Sequence, residues 1–260
     1  MSSTLFPHIV FGPVHSRRLG VSLGVNLLPA HGKWCSFDCI YCECGWNADG
    51  VADTLLPTKQ DVARALEHKL SELADRNLLP DVITFSGNGE PTLHPDFKSI
   101  IESTLVLRDR YAPNAQVCVL SNATQIGRPD VFEALLKVDK RILKIDSAFA
   151  QTVQKMDQPA QGYDLDRTIQ ELERFHGDFA LQTLFVRGCY NDAEIDNTTP
   201  VEIDAWLELI RKLKPKEVMV YAIDRATPAK ELVKVPLAEL EAIAERVRSL
   251  QMNINVNVAG

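Results

Sequence analysis

Apolar positions along this chain recur with two periods, one of strands and one of helices. His8 to Val14 and Ser22 to Leu28 are apolar, β-branched runs separated by an Arg- and Gly-containing turn; both read as strands, the second ending at Pro29. Val62, Leu66, Leu70 and Leu73 then repeat at helical spacing, with Thr58 placed to cap, Asp61 at the third helical position and Pro80 closing the segment. From there the two periods take turns. Asp81 to Ser86 is a short continuous apolar run, the pattern of a strand covered on both faces, and a helix from about Pro95 to Leu107 follows. Strands are expected at Val117 to Leu120, Ile142 to Ile145, Phe179 to Val186 and Val218 to Ile223. Helices are expected at Asp130 to Leu136, near Gln151 to Met156, at Leu165 to Phe175, and along the stripe Ile203, Trp206, Leu207, Ile210 and Leu213. Leu237, Leu240, Ile243, Val247 and Leu250 stripe a last helix, and Ile254 to Val258 reads as a terminal strand.

Such alternation predicts a parallel sheet with right-handed crossovers. About six units are too few for a closed eight-fold barrel. A doubly wound open sheet is the competing arrangement, and both gather ligands at the carboxyl ends of strands. With no linker, low-complexity tract or strict repeat, the expectation is a single domain over residues 1–260.

Composition refines this modestly. Apolar residues at 45% and charged residues at 24% are ordinary for a globular core. The formal net charge of −7 disfavours a polyanionic partner, although Arg17 and Arg18 form one candidate basic patch, with a solvated turn as the plain alternative. The start of the chain has no basic region followed by an apolar core, and no stretch of about 20 apolar residues could span a bilayer. A cytoplasmic location without membrane association is expected, where six cysteines serve as thiols or ligands more readily than as bridges.

The stretch Trp34 to Gly45 carries the chemistry. Cys35, Cys39 and Cys42 stand at C-x-x-x-C-x-x-C spacing, close enough in a compact loop to converge on one metal centre. Structural zinc prefers four closed ligands, usually in two separated pairs, and the second pair is missing; a zinc loop would need completion by His31 or Cys44. A disulfide-bonded loop is the other plain reading. Iron-sulfur clusters held wholly by protein use four cysteines, so three leave one iron open to an outside ligand.

With aromatic Tyr41 just before the third cysteine, this spacing resembles the cluster loop of the radical S-adenosylmethionine (radical SAM) superfamily. The resemblance implies that Cys35, Cys39 and Cys42 ligate three irons of a [4Fe-4S] cluster while S-adenosylmethionine chelates the fourth. Reductive cleavage of that cofactor then gives a 5'-deoxyadenosyl radical, which abstracts hydrogen from a substrate. It implies an α/β fold, an open (β/α)6 partial TIM-like barrel with its cluster loop at about residues 30–50. It also implies a reductant such as flavodoxin or ferredoxin.

The polar residues at expected strand ends are the remaining candidates. Asn88-Gly89-Glu90 resembles the superfamily's Gly-Gly-Glu motif, with asparagine in place of the first glycine; the family role is to bind the methionyl amino group. Taken alone, the same residues read as a turn. Asn122, Asp146 and Gln182 lie at or near the ends of successive strands and are expected to bind cofactor. Lys144 and Asp146 are two apart on a strand and share a face, as catalytic groups or as a structural ion pair. Tyr221 and Asp224-Arg225 invite the same two readings.

Cys118 reads as a small core hydrophobe. Cys189, after a strand end, is a candidate hydrogen-atom donor or acceptor or an inert thiol. Cys44 stands too near Cys42 to be an easy extra ligand, and His15 and His31 read as loop residues.

Phe11 to Pro29, Phe85 to Pro95, Lys144 to Pro159, Leu181 to Asp192 and Val220 to Pro228 together resemble a branch of radical SAM proteins related to the tRNA wyosine-base synthases. This chain lacks their second cysteine cluster and basic extension. A small-molecule substrate is therefore favoured over an RNA base. The alternatives are a glycyl-radical activating enzyme acting on a protein and a non-catalytic zinc or iron-sulfur protein.

Overall fold

In the computed structural model, which describes residues 4–16, 19–50 and 54–260, each expected helix and strand is present. The chain opens with β1 (Val10–Ser16) and β2 (Gly20–Val25), then α1 (Lys59–Asp75), β3 (Val82–Phe85), α2 (Phe97–Tyr111), β4 (Gln116–Ser121), α3 (Pro129–Lys137) and β5 (Lys140–Lys144). It continues through α4 (Ala150–Asp157), α5 (Leu165–Glu173), β6 (Ala180–Tyr190), β7 (Ala193–Asp196), α6 (Pro200–Leu213) and β8 (Glu217–Ala222). It ends with β9 (Leu232–Lys234), α7 (Leu237–Arg248) and β10 (Asn255–Ala259).

The strand order is β1-β2-β3-β4-β5-β6-β8-β10. Every neighbouring pair from β2 to β10 is parallel, and β1 lies antiparallel on the outer side of β2. This is the curled, open half-barrel that a run of right-handed β-α units makes when it stops short of closure. Register sets side chains beside one another at the carboxyl edge: Lys144 of β5 pairs with Gln182 of β6, and Gln182 with Met219 of β8.

Side-chain period decides which face each residue serves. Val62, Leu66, Leu70 and Leu73 of α1 are buried against the outer face of the sheet, in a core shared with Phe85, Phe97, Phe185 and Trp206. Asp61 N donates to Thr58 Oγ1 at 3.2 Å and Thr58 N to Asp61 Oδ2 at 3.2 Å, so the first turn of α1 has its orphan donor satisfied reciprocally. Inside the curl, Val82, Cys118, Ile142, Ala180 and Met219 form a separate apolar layer, and Cys118 is fully buried as a core residue. A third cluster at the carboxyl edge packs Phe37, Ile40 and Tyr41 against Met156, Leu184, Val186 and Ala229.

One expectation about length is corrected. The strand expected to end at Val186 continues to Tyr190, leaves the main sheet, and pairs antiparallel with β7 (Arg187 opposite Asp196) and β9 (Gly188 opposite Leu232). Gly188 permits this turn outwards: its φ is +140°, and a Cβ there would lie 2.1 Å from the Glu231 carbonyl oxygen. The partner strands β7 and β9 are too short to show a period, which is why the sequence does not announce them. The candidate patch Arg17-Arg18 lies outside the described residues.

Candidate active site

After β2 the chain crosses the carboxyl ends of the parallel strands as a loop that carries all three motif cysteines. Main-chain hydrogen bonds from separate segments hold it. Trp34 N donates to Asn88 O at 2.8 Å and Glu90 N to Trp34 O at 3.1 Å, so the turn after β3 pairs with the loop's entrance. Asp38 N donates to Asp157 O and Ile40 N to Met156 O, each at 2.9 Å, and Ala160 N donates to Ser36 O at 2.8 Å. Ala229 N, from the loop after β8, donates to Ile40 O at 3.0 Å. Gln158 caps α4 in a left-handed conformation (φ 42°), which turns the chain back along the cysteine loop. Within the loop, Asn47 accepts from Cys35 N at 3.1 Å and donates to the carbonyls of Cys35 and Phe37, both at 3.1 Å.

None of the six cysteines is in a disulfide. Burial pushes the Cys35 thiol up to about 12, with nearby Glu90 adding to it, and burial likewise raises Cys39. Cys42 goes the other way, down to about 6, because the Cys44 thiol donates a hydrogen bond to it and Lys33 stands beside it. Cys42 also raises Cys35, and Cys42 and Cys35 both raise Cys39. Lys33 lies beneath them with its side chain 1% exposed; Nζ donates to Asp38 Oδ1 at 2.9 Å and to Gly45 O at 3.0 Å. Burial alone would lower its pKa, but the thiols of Cys42, Cys35 and Cys39 raise it overall.

The cysteines open onto a cavity of about 330 Å³ lined also by Tyr41, Gly89, Glu90, Asn122, Lys144, Gln182, Tyr221 and Arg225. A larger hollow of about 680 Å³ between α4, β7 and α6 has none of these groups. Glu90 is buried among donors: Ser121 Oγ at 2.9 Å, Thr92 N at 3.1 Å and Thr92 Oγ1 on Oε1, and Asn122 N at 2.6 Å on Oε2. Burial still raises its pKa, with those hydrogen bonds opposing. Asn122 Nδ2 donates to Ser36 Oγ at 2.9 Å and approaches Cys35 Sγ at 3.5 Å. Among the described residues, the Gln182 side-chain amide has no hydrogen bond.

Lys144 Nζ lies 2.6 Å from Asp157 Oδ1 and 3.1 Å from Asp146 Oδ2, over the ring of Phe37. The Tyr41 hydroxyl meets Asp157 Oδ1 at 3.0 Å and also contacts Asp146 Oδ2. A phenol has one proton to give two carboxylates. Burial pushes Asp146 up to about 7, with Lys144 restraining it and Asp157 adding to the rise. Lys144 is held above its ordinary value by Asp146, Asp157 and Cys39 against the effect of burial. Such a lysine is an ammonium, and it is a poor nucleophile.

Two candidate residues stand elsewhere. The Asn88 side chain turns away from the cavity: Oδ1 accepts from Phe6 N at 2.8 Å, and Nδ2 donates to Phe6 O at 3.0 Å and Pro29 O at 2.7 Å. Asparagine is tolerated in place of a glycine there because only its neighbours, Gly87 and Gly89, require a positive φ. Cys189 sits on the outward extension of β6 opposite Glu194 of β7 and is not part of the cavity wall. His31 is exposed and likewise outside the cavity, and His15 is exposed on β1. Among the described residues, no three His, Cys, Asp or Glu side chains are grouped to hold a single metal ion.

Lys33, Asp38, Asn47 and Asp157 are the site residues that the sequence does not single out. Asp157 ends an amphipathic helix and looks like a solvated charge, and Asp38 and Asn47 fall between cysteines in a loop with no period. The one available signal was Lys33, a charge between Gly32 and Trp34, two residues before the first cysteine.

Comparison with known proteins identifies the family and the fold. Residues 30–177, more than half of the chain, match the Radical SAM superfamily model. A UPF0026 protein of Synechocystis sp. is 32% identical over 87% of this chain and 79% of its own length. A Brachyspira hyodysenteriae protein named GTPase Obg is 29% identical over 96% of this chain, which spans only 35% of that relative. Streptococcus suis SuiB bound to S-adenosylmethionine superposes with a TM-score of 0.64 at 16% identity, covering 91% of this chain and 50% of SuiB. TYW1 with a lysine-pyruvate adduct bound gives 0.63 at 16% identity, covering 88% and 73%. At these identities the two structures share the fold. Among the described residues no helix is long and apolar enough to cross a membrane. The chain belongs to the radical SAM superfamily and, with its Synechocystis relative, to the UPF0026 family.

Proposed function

We propose that this enzyme cleaves S-adenosylmethionine reductively and uses the product to abstract hydrogen from a small-molecule substrate. The observation that carries the reading is the placement of three cysteines on one clamped loop, beside a cavity whose wall combines Glu90, Asn122 and Gln182 with the apolar Phe37, Leu120, Leu184 and Ile223. Bound there, a [4Fe-4S] cluster and S-adenosylmethionine supply one-electron cleavage of a sulfonium to methionine and a 5'-deoxyadenosyl radical. The residues fit both groups. Cys35, Cys39 and Cys42 offer three thiolate ligands, and Cys44, engaged with Cys42 and with Gly87 O at 3.3 Å, is not placed as a fourth. Glu90 offers a carboxylate for an ammonium group, and Gly89 brings the main chain close to the ligand. Asn122 and the free amide of Gln182 offer donors and acceptors to a ribose or carboxylate.

The remaining groups position and exclude. Tyr41 closes the cavity over Asp146 and Asp157, while Lys144 keeps a fixed positive charge on the substrate side. That ion pairing opposes an amine adduct on Lys144 of the kind named for TYW1, so the wyosine relationship is proposed at the level of branch and not of substrate. The net charge of −7 and the modest cavity favour a small metabolite over RNA or a protein. The electron comes from a reductant of the flavodoxin or ferredoxin class, residues 1–260 act as one radical SAM domain, and the setting is cytoplasmic.

Anaerobic reconstitution tests the reading. Wild-type protein should take up about four irons and four sulfides per chain and release 5'-deoxyadenosine with S-adenosylmethionine and dithionite. Replacing any one of Cys35, Cys39 or Cys42 with alanine should abolish release. A wild-type protein that binds one zinc tightly and forms no deoxyadenosine overturns it.

A further inference from the structure

We propose that Lys33, a buried ammonium beneath the cysteine loop, sets the reduction potential of the cluster by holding a fixed positive charge against its sulfur ligands. The inference rests on the reading of Cys35, Cys39 and Cys42 as cluster ligands. Lys33 is two residues before Cys35, yet its side chain, 1% exposed, runs back under the loop to the carbonyl of Gly45 at 3.0 Å and to Asp38 Oδ1 at 2.9 Å. Both ends of the cysteine stretch therefore close over the ammonium. Asp38, its partner, is 27% exposed on its side chain, so solvent screens the negative member of the pair more than the positive one.

Iron-sulfur potentials follow net charge, hydrogen bonds to sulfur and solvent exposure. One electron from an external reductant would add one negative charge to a cluster held by these cysteines and, with no proton taken up, that charge would be stabilised by a nearby cation in a medium of low dielectric. Lys33 thus makes the cluster easier to reduce. Methionine keeps the apolar stem of Lys33 and removes the charge together with the hydrogen bonds to Gly45 O and Asp38.

The test is a redox titration, followed by electron paramagnetic resonance, of the full chain reconstituted anaerobically. Lys33→Met should lower the midpoint potential, Lys33→Arg should leave it near the wild-type value, and Asp38→Asn, which removes the opposing negative charge, should raise it. An unchanged midpoint in Lys33→Met, or a lower one in Asp38→Asn, overturns the proposal. If Lys33→Met takes up no iron, the sign of the Asp38→Asn shift decides alone. Wild-type protein that assembles no cluster overturns the reading of the cysteine loop and this proposal with it, whereas a loaded wild type whose potential ignores both variants overturns the proposal only.

Discussion

A Cβ on Gly89 would lie 2.0 Å from the carbonyl oxygen of Trp34, and Gly89 has a φ of +139°. Both facts forbid a side chain, and the atom in the way is main chain of the cysteine loop. Gly89→Ala should therefore displace Trp34 and the cysteines after it. The expected result is loss of stability by about 2 kcal/mol or more together with sharply reduced iron uptake on reconstitution. An alanine variant with wild-type melting and iron content would show that the contact does not position the loop.

Asn88 tests a different kind of tie. Its amide bonds both main-chain groups of Phe6 and the carbonyl of Pro29. Asn88→Ala leaves these buried groups unpaired and should cost about 1–3 kcal/mol, read as a lower thermal midpoint. Deoxyadenosine formed per loaded cluster should hold, because the side chain does not face the cavity. A selective loss of turnover with unchanged stability would return Asn88 to the cofactor site.

Iron loading should depend steeply on pH. Cys35 at about 12 and Cys39, also raised, must each lose a proton to become ligands, whereas Cys42 at about 6 is already a thiolate at neutral pH. Raising the pH from 7 towards 9 removes competing protons, so apparent affinity should rise, by about tenfold per pH unit for each proton released. Competition against a chelator of known affinity across that range measures it. A flat profile would mean the thiols are ionised before metal arrives.

The network of Lys144, Asp146, Asp157 and Tyr41 gives an acid-base prediction. Asp146 titrates from 3.8 when unperturbed to about 7 in the fold, so the unfolded chain gives up this proton first. As pH climbs from about 4 to about 7, the contribution of Asp146 to stability falls. Asp157→Asn removes a negative neighbour and should lower the Asp146 midpoint, which carboxyl-carbon NMR can follow. Lys144→Met leaves two buried carboxylates without their cation and should destabilise by about 3–5 kcal/mol, measured by denaturant unfolding.

Cys189→Ser should change neither iron content nor deoxyadenosine yield, since Cys189 lies on the hairpin extension of β6 and outside the cavity wall. Loss of product from a fully loaded variant would place a hydrogen-atom relay there after all.

Periodic segments were legible. The α1 stripe and its Thr58-Asp61 cap, and the buried β3 run, sit where the pattern puts them, because burial on one face or both is written directly into residue order. The three cysteines and the strand-end residues stand out in the sequence because they fall outside the periodic segments, and the fold places Cys35, Cys39, Cys42, Asn122 and Gln182 around one cavity. What escaped was everything that depends on two distant segments meeting. Asp157 is spelled like a surface charge, and only the turn at Gln158 brings it beside Tyr41 and Lys144. The bend of β6 at Gly188 depends on Glu231, far along the chain. Asn88 departs from the motif's glycine for the sake of Phe6, a residue with no pattern of its own.

The seat of the cysteine loop is made of backbone amides and carbonyls drawn from the turn after β3, the end of α4 and the loop after β8. Transplanting the twelve residues from Trp34 to Gly45 into another open barrel would therefore carry over the sulfurs without their mould. A designer wishing to move this chemistry would have to copy the three receiving segments as well, with glycine kept at position 89.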